Sequence, residues 1–148
     1  QAYPTLAQIQ QVLCAERERL DGKAKQAVVR LLGSAGSDQA LMMVHSAPYR
    51  AARDAGQTEL ALKEARWIAG HRGRAYVEGG EAGLLTALNV ADTTLSRLNA
   101  AELLMQLGRK NEALTELKTF LTAWPEEGLP RKLRQRVAAL RSGTDAKN

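Results

Sequence analysis

Residues 95–125 read LSRLNAAELLMQLGRKNEALTELKTFLTAWP and decide the fold class. Small and apolar residues recur at every third position of the first half: Leu95, Leu98, Ala101, Leu104 and Leu107. This spacing places them on one face of a helix that ends at Gly108. The second half has its own apolar face, formed by Ala113, Leu114, Leu117, Phe120, Leu121 and Trp124. Pro125 ends that helix because it has no amide proton to donate, so the stretch predicts two helices that need neighbours.

The composition of the whole chain also favours helices. Of 148 residues, 45% are hydrophobic but only 4% are aromatic, and a β-sandwich would need more aromatic and β-branched residues. Every regular segment has helical apolar spacing, and no alternating strand pattern is found. We therefore predict one all-α domain over residues 1–148, with about six to eight helices and a flexible tail at 142–148.

Local signals predict interruptions and a final helix. Pro48 lies inside an apolar helical pattern, so we expect a break just before it. The glycine-rich residues 76–83 predict a connector, and residues 89–92 predict a second break. The last helix follows Pro130 and has one narrow apolar stripe on an otherwise basic surface, which is typical of a helix that caps an array.

One pattern of glycine and alanine occurs three times. In each copy a glycine precedes an alanine by five residues: Gly22 and Ala27, Gly56 and Ala61, Gly108 and Ala113. Glycine accepts the left-handed conformation at a helix end, and the small alanine lets two helices approach closely. The first two glycines are 34 residues apart and the next two 52 apart. The pattern predicts three equivalent helix pairs, with eighteen extra residues before the third.

Thirty-four residues is the period of the tetratricopeptide repeat, and the chain resembles that family. In the third copy, Ala101, Gly108, Ala113 and Pro125 stand where the family has a small residue, a turn glycine, a packing alanine and a terminating proline. The second copy departs from the pattern at Pro48. The resemblance implies antiparallel helix hairpins that stack as an α-solenoid with a C-terminal capping helix.

The resemblance covers roughly residues 8 to 125 and also implies a function. The arrangement is similar to helical repeat tails of bacterial regulatory and signalling proteins. In the tetratricopeptide family, the first helix of each hairpin lines a concave groove. Carried over copy by copy, this implies a partner-binding surface at Glu16, Arg19, Arg50, Arg53, Glu102, Met105 and Gln106. Because Arg50 and Arg53 would make the groove locally basic, an acidic peptide or a C-terminal carboxylate is the expected partner of this protein-interaction scaffold.

A cluster of cations near a predicted helix end is a second candidate site. Its members are Arg66, His71, Arg72 and Arg74. They could bind a phosphate or a carboxylate. The interpretation we favour is that they satisfy the last carbonyls of the helix and its dipole.

Catalytic and metal-binding constellations are not found in the sequence. His45 and His71 do not have metal-ligand spacing with another histidine or cysteine, and no nucleophile with a base can be assembled. We therefore predict neither an enzyme nor a metal or cofactor. Cys14 is expected to be a small buried residue, and Trp67 and Trp124 are expected to anchor the helices.

Charge and cysteine content bear on partners and compartment. The net charge of +5 and the basic last helix leave nucleic-acid binding as an alternative function. An unsatisfied end of the helical array could also support self-association. No apolar run is long enough to span a membrane. A single cysteine fits a cytoplasmic protein and also permits a periplasmic one, and a start at Gln1 without Met is typical of an excised domain or processed product.

Overall fold

Helices account for the regular structure of the chain. The computed structural model describes residues 4–32, 41–78 and 86–145, and in these ranges no residue is in a β-strand. The helices are α1 Pro4–Leu20, α2 Ala24–Leu31, α3 Met43–Asp54, α4 Thr58–Gly70, α5 Arg74–Val77, α6 Thr86–Gln106, α7 Lys110–Ala123 and α8 Arg131–Asp145. A short 3-10 turn at Glu126–Gly128 precedes α8. The predicted all-α class is confirmed.

The turns at Gly22, Gly56 and Gly108 have one common geometry. Their φ angles are 78°, 72° and 74°. In each turn, the residue after the glycine donates its amide hydrogen to a carbonyl five residues earlier, at 2.8 Å in all three cases. This hydrogen bond belongs to the Schellman motif that ends helices. The alanines five residues after the glycines are buried, so equivalent turns join α1 to α2, α3 to α4 and α6 to α7.

Alanine at any of these glycines is expected to cost about 1–2 kcal/mol, because a Cβ disfavours the left-handed conformation. A Cβ added at Gly22, Gly56 or Gly108 meets no atom within 4 Å, so the cost is conformational and should be equal at the three turns. Gly70→Ala is the matched control, since it lies within α4 and should gain about 0.4–1 kcal/mol. Urea unfolding measures all four variants. Clearly unequal costs at the three turns would contradict their equivalence.

Two apolar clusters form the core. The larger one joins α1, α2, α3 and α4 to α6 and the start of α7, and it includes Leu104, which is fully buried. The smaller one joins α6, α7 and α8 around Phe120 and Val137. The predicted apolar stripe of α8 is buried there, with Val137 and Leu140 at 0% and 7% exposure. Helix contacts therefore run from each pair to the next, as α2 and α1 to α3, α4 to α6, and α6 to α8.

Both predicted helix breaks are absent. α3 continues through Pro48, although Pro48 cannot donate a hydrogen bond to the carbonyl of Val44. Eight of the twelve residues of α3 are buried, Pro48 among them, and this burial offsets the lost bond. α6 is likewise unbroken across residues 89–92. There the side chain of Asn89 donates to Glu78 at 3.1 Å and is held inside the fold.

The predicted connector and tail are partly helical. Residues 74–77 form α5, while 79–83 of the predicted connector lie outside the described residues. Residues 142–145 of the predicted tail continue α8. The Ser142 hydroxyl donates to the carbonyl of Ala139 at 3.1 Å, which supports this last turn. Residues 146–148 lie outside the described part.

Three side chains predicted to be buried point outward. Cys14 is exposed, because the buried face of α1 is defined by Val12 and Ala15 and a side chain one position away is rotated by about 100°. Leu114 and Trp124 are 43% and 44% exposed. Trp124 follows the last residue of α7 and lies outside the smaller cluster. The prediction of a core role is therefore wrong for these residues.

Candidate functional site

Ion pairs join α1, α3, α6 and α8 side by side. Arg50 on α3 donates to Glu16 on α1 at 2.8 Å and to Asp92 on α6 at 3.1 Å. Arg136 on α8 donates to Glu102 on α6 at 2.6 Å. The partners Glu16 and Arg50 are 34 residues apart, and so are Glu102 and Arg136. The same register therefore connects α1 to α3 and α6 to α8.

We call this surface the ladder face. Its charged residues are Glu16, Arg19, Arg50, Arg53, Asp54, Asp92, Glu102 and Arg136. Four arginines face four carboxylates, so their formal charges cancel. The sequence suggested a basic groove at Arg50 and Arg53, whereas Arg50 is shared between two carboxylates and Arg53 pairs with the adjacent Asp54.

Arg53 is the ladder cation that is most open to solvent. Its side chain is 50% exposed, against 22% for Arg50. The Arg53 guanidinium carbon lies 5.7 Å from the centroid of the Tyr49 ring. Burial raises the pKa of Tyr49, and the charge of Arg53 opposes that rise. Because half of its side chain is exposed, Arg53 is the cation of the ladder face that a ligand can approach.

A groove of about 460 Å³ lies between α6 and α8, at one end of the ladder face. We call it the α6/α8 groove, and its lining residues are Glu102, Met105, Gln106, Arg136, Ala139, Leu140 and Gly143. All three residues that the resemblance implied for the third copy lie in it. The hydrogen bond to Glu102 raises the pKa of Arg136, so the guanidinium stays charged. The groove thus combines apolar surface, an amide and one ion pair.

The four cations of the second candidate site are engaged in different ways. Arg66 reaches across to Glu112 on α7 at 2.9 Å. His71 donates from Nδ1 to a main-chain carbonyl of its own helix end at 2.7 Å. Arg74 pairs with a carboxylate of the next turn, while Arg72 is exposed. His71 thus makes the helix-ending contact that was the alternative to anion binding.

Glu112 provides a test of these surface pairs. Hydrogen bonds from Arg109 and Arg66 lower its pKa from 4.5 to about 2. Because this pKa is lower in the folded chain than in the unfolded chain, the pairing stabilises the fold above pH 4.5 and is lost as the pH falls towards 2. Carboxyl NMR should give a midpoint near 2, and Arg109→Gln should raise it. A wild-type midpoint near 4.5 would show that the pairs do not form in solution.

A buried polar cluster that was not predicted from the sequence lies between α3 and α4. Nδ1 of His45 lies 2.7 Å from Oε2 of Glu64, and both residues are almost fully buried. The Trp67 ring stacks between His45 and His71, at centroid distances of 3.3 and 3.9 Å. Glu64 could have been found, because it lies on the apolar face of α4, three residues after the buried Ala61. The cluster packs α3 against α4.

A second buried carboxylate ties the start of α3 to α6. Glu78 accepts a hydrogen bond from the Met42 amide at 2.6 Å and one from Asn89 at 3.1 Å. It also pairs with Arg74 at 3.4 Å. A carboxylate at the start of a helix is favourable because the free amides there are partly positive. Glu78 therefore positions three elements that are far apart in sequence.

Candidate metal sites and membrane-spanning helices are absent from residues 4–32, 41–78 and 86–145. In those ranges no group of three His, Cys, Asp or Glu residues could hold a metal ion. None of the helices described there has both the length and the apolar character that a membrane crossing requires. No protein-family model, curated protein or solved structure matches the chain.

Proposed function

We propose that this chain is a protein–protein interaction scaffold, built as a tetratricopeptide-like α-solenoid of antiparallel helix hairpins with α8 as its cap. Three equivalent glycine turns support this architecture. So do helix contacts that run from each pair to the next. In this arrangement α1, α3 and α6 are the first helices of the hairpins, and the ladder face is the surface they share with α8.

The α6/α8 groove is the observation that carries the proposal. The groove is open to solvent, so its apolar lining is available to an incoming side chain. The charges of the neighbouring ladder face cancel one another. Peptide grooves of this kind gain affinity from an apolar anchor and specificity from a few polar groups around it. Here Met105 and Ala139 supply apolar surface, and Gln106 supplies an amide. Arg53, further along the ladder face, can accept an acidic residue of the same peptide.

Filling the groove tests this function. Peptides are first selected from a displayed random library on the wild-type chain, and their affinities are then measured for two variants. Ala139→Trp fills the groove. Ala138→Trp places the same ring on the preceding residue, which is also exposed but does not line the groove. We expect Ala139→Trp to weaken binding about tenfold or more, since the buried anchor is lost, and Ala138→Trp to leave it unchanged.

Unchanged binding by both tryptophan variants would overturn the proposal. If selected peptides bind both tryptophan variants as tightly as the wild type, the α6/α8 groove is not the binding surface. Arg53→Glu adds a second readout, because it should weaken acidic peptides selectively. Thermal unfolding of each variant separates loss of binding from loss of fold.

Nucleic-acid binding is the second candidate, and one observation favours it. Arg131, Lys132 and Arg134 are exposed at the start of α8, and no carboxylate pairs with them in the part of the chain that the structure describes. Such cations can contact phosphates. Titration of a duplex and a single strand at two salt concentrations tests this. Binding should weaken with salt, and replacing all three cations by Gln should lower the salt slope by about one unit per cation. An absence of binding at low salt removes this candidate.

A further inference from the structure

A cavity of about 140 Å³ lies between α2, α3 and α4 and shares no lining residue with the α6/α8 groove. One carboxylate, that of Glu64, is part of its lining. Leu32 and Lys63 also line it and are exposed, so the cavity opens to solvent beside them. Its remaining walls are apolar and are formed by Val28, Leu31, Pro48 and Leu60.

Glu64 has one carboxylate oxygen without a hydrogen bond. Its Oε2 lies 2.7 Å from Nδ1 of His45, and within the described part of the chain no other donor reaches the carboxylate. The side chain is only 3% exposed, and no lysine or arginine of the described residues pairs with it. Because Glu64 lines the cavity, its Oε1 is the polar group that a molecule in the cavity would meet.

The environment of His45 indicates that this pair carries a negative charge. Nε2 of His45 is buried and has no hydrogen-bond partner among the described residues. A second proton on the pair would place a hydrogen on Nε2, where it would be buried without an acceptor. The favoured state is therefore a neutral imidazole that donates from Nδ1 to an ionised Glu64. A buried carboxylate without a cation is costly, so the cavity is short of one positive charge.

We propose that the cavity binds a small primary ammonium compound, with its nitrogen against Oε1 of Glu64 and a short aliphatic tail among Val28, Leu31 and Leu60. An ammonium group supplies both positive charge and hydrogen-bond donors, and hydrogen bonds between charged groups are the stronger kind. The apolar walls suit the tail. A cavity of about 150 Å³ accommodates a ligand of about six heavy atoms, so an ammonium compound with about three to five carbons matches the volume.

Lys63 does not supply this charge in the structure. It directly precedes Glu64, and neighbouring positions on a helix differ in direction by about 100°. Lys63 is exposed, and the ion-pair contact of Glu64 is with His45. Because an exposed charge is weakened by water and salt, Lys63 only weakly opposes the entry of a second cation.

Methyl NMR of the full chain tests this site with n-butylammonium as the probe. The probe is titrated to about 20 mM at constant ionic strength, because this concentration populates a site of millimolar Kd. We expect the methyl signals of Val28 and Leu31 to shift and to saturate with a Kd of about 1 mM or lower. 1-Butanol has a similar tail without the charge. It should bind at least about tenfold more weakly, because it cannot form the ion pair.

Substitutions on α4 locate the ammonium group. Glu64→Gln keeps the shape and removes the charge, so it should weaken butylammonium at least about tenfold and leave 1-butanol unchanged. Glu59→Gln is the matched control, because it removes a charge from the same helix at a side chain that is 68% exposed. It should leave binding unchanged. Leu60→Trp fills the cavity and should abolish the binding of both probes, which keeps the test decisive if Glu64→Gln is poorly folded.

Three results would overturn the proposal. Wild-type methyl signals that do not shift with butylammonium would show that the cavity takes no ammonium compound. Equal affinity of butylammonium for the wild type and for Glu64→Gln would show that the carboxylate is not its partner. Binding that appears only in Lys63→Gln would show that Lys63 itself is the cation of Glu64 in solution.

Discussion

Replacing His45 by Phe is expected to destabilise the fold by about 3–5 kcal/mol, because the carboxylate of Glu64 is left buried without its partner. Glu64 is 2% exposed, and its oxygen lies 2.7 Å from Nδ1 of His45. Phenylalanine keeps an aromatic ring next to Trp67, so the stacking is largely preserved and the missing partner dominates the loss. Urea unfolding measures the change in free energy.

The double variant His45→Phe with Glu64→Leu is the control for this prediction. Exchanging both members of a buried pair for apolar residues is often neutral or stabilising, so most of the stability should return. If His45→Phe alone costs less than about 1 kcal/mol, Glu64 is solvated or has another partner in solution. A double variant as unstable as the single one would mean that packing, and not the pair, is responsible.

Replacing Phe120 by Ala should also cost about 3–5 kcal/mol, as expected for a large buried aromatic side chain. Phe120 is 2% exposed and lies in the cluster that joins α6, α7 and α8. Trp124→Ala removes a larger ring from the end of α7, where it is 44% exposed. That change should therefore cost much less.

The same denaturation experiment compares the two aromatic residues. Hydrogen exchange of the α8 backbone amides shows separately whether α8 stays packed against the core. Phe120→Ala should speed exchange throughout α8, because the cluster that holds this helix is opened. Similar losses for Phe120→Ala and Trp124→Ala would contradict the packing described for α7.

Helix ends were predictable where the signal is local. Gly22, Gly56 and Gly108 end three helices because the left-handed conformation they adopt is intrinsic to glycine. Pro125 follows the end of α7 for an equally local reason. Pro48 was expected to break its helix, but the effect of a proline inside a helix depends on tertiary burial. The cost of one missing hydrogen bond in α3 is offset by contacts that the sequence pattern does not reveal.

The candidate site was predictable only in part. Glu102, Met105 and Gln106 share a groove, as a position-by-position reading of the repeat implied. Glu16 and Glu102 were assigned to that surface, but their pairing with Arg50 and Arg136 across helices was not predicted. Asp92 reaches Arg50 only because α6 is continuous through residues 89–92, where a break was expected. Side-chain pairing between helices depends on how each helix is rotated about its axis and on which helices lie next to it. Apolar spacing does not specify either.

The burial of single side chains was also only partly predictable from the sequence. Cys14 was assigned to the core because cysteine is often buried, yet its position relative to Val12 and Ala15 places it outside. Glu64 was passed over because it is charged, although its position on α4 is an apolar one. In both cases the position on the helix was the better guide than the residue type.

The central claim is that the α6/α8 groove binds a peptide, and chemical-shift mapping tests it most directly. A peptide selected on the wild-type chain is titrated into the isotope-labelled protein, and the perturbed backbone amides are located. We predict that the largest changes fall on Met105, Gln106, Ala139 and Gly143, which line the groove. Ala138→Trp should preserve this map and Ala139→Trp should abolish it. Largest changes on α2 or α7, with the groove amides unaffected, would contradict the account.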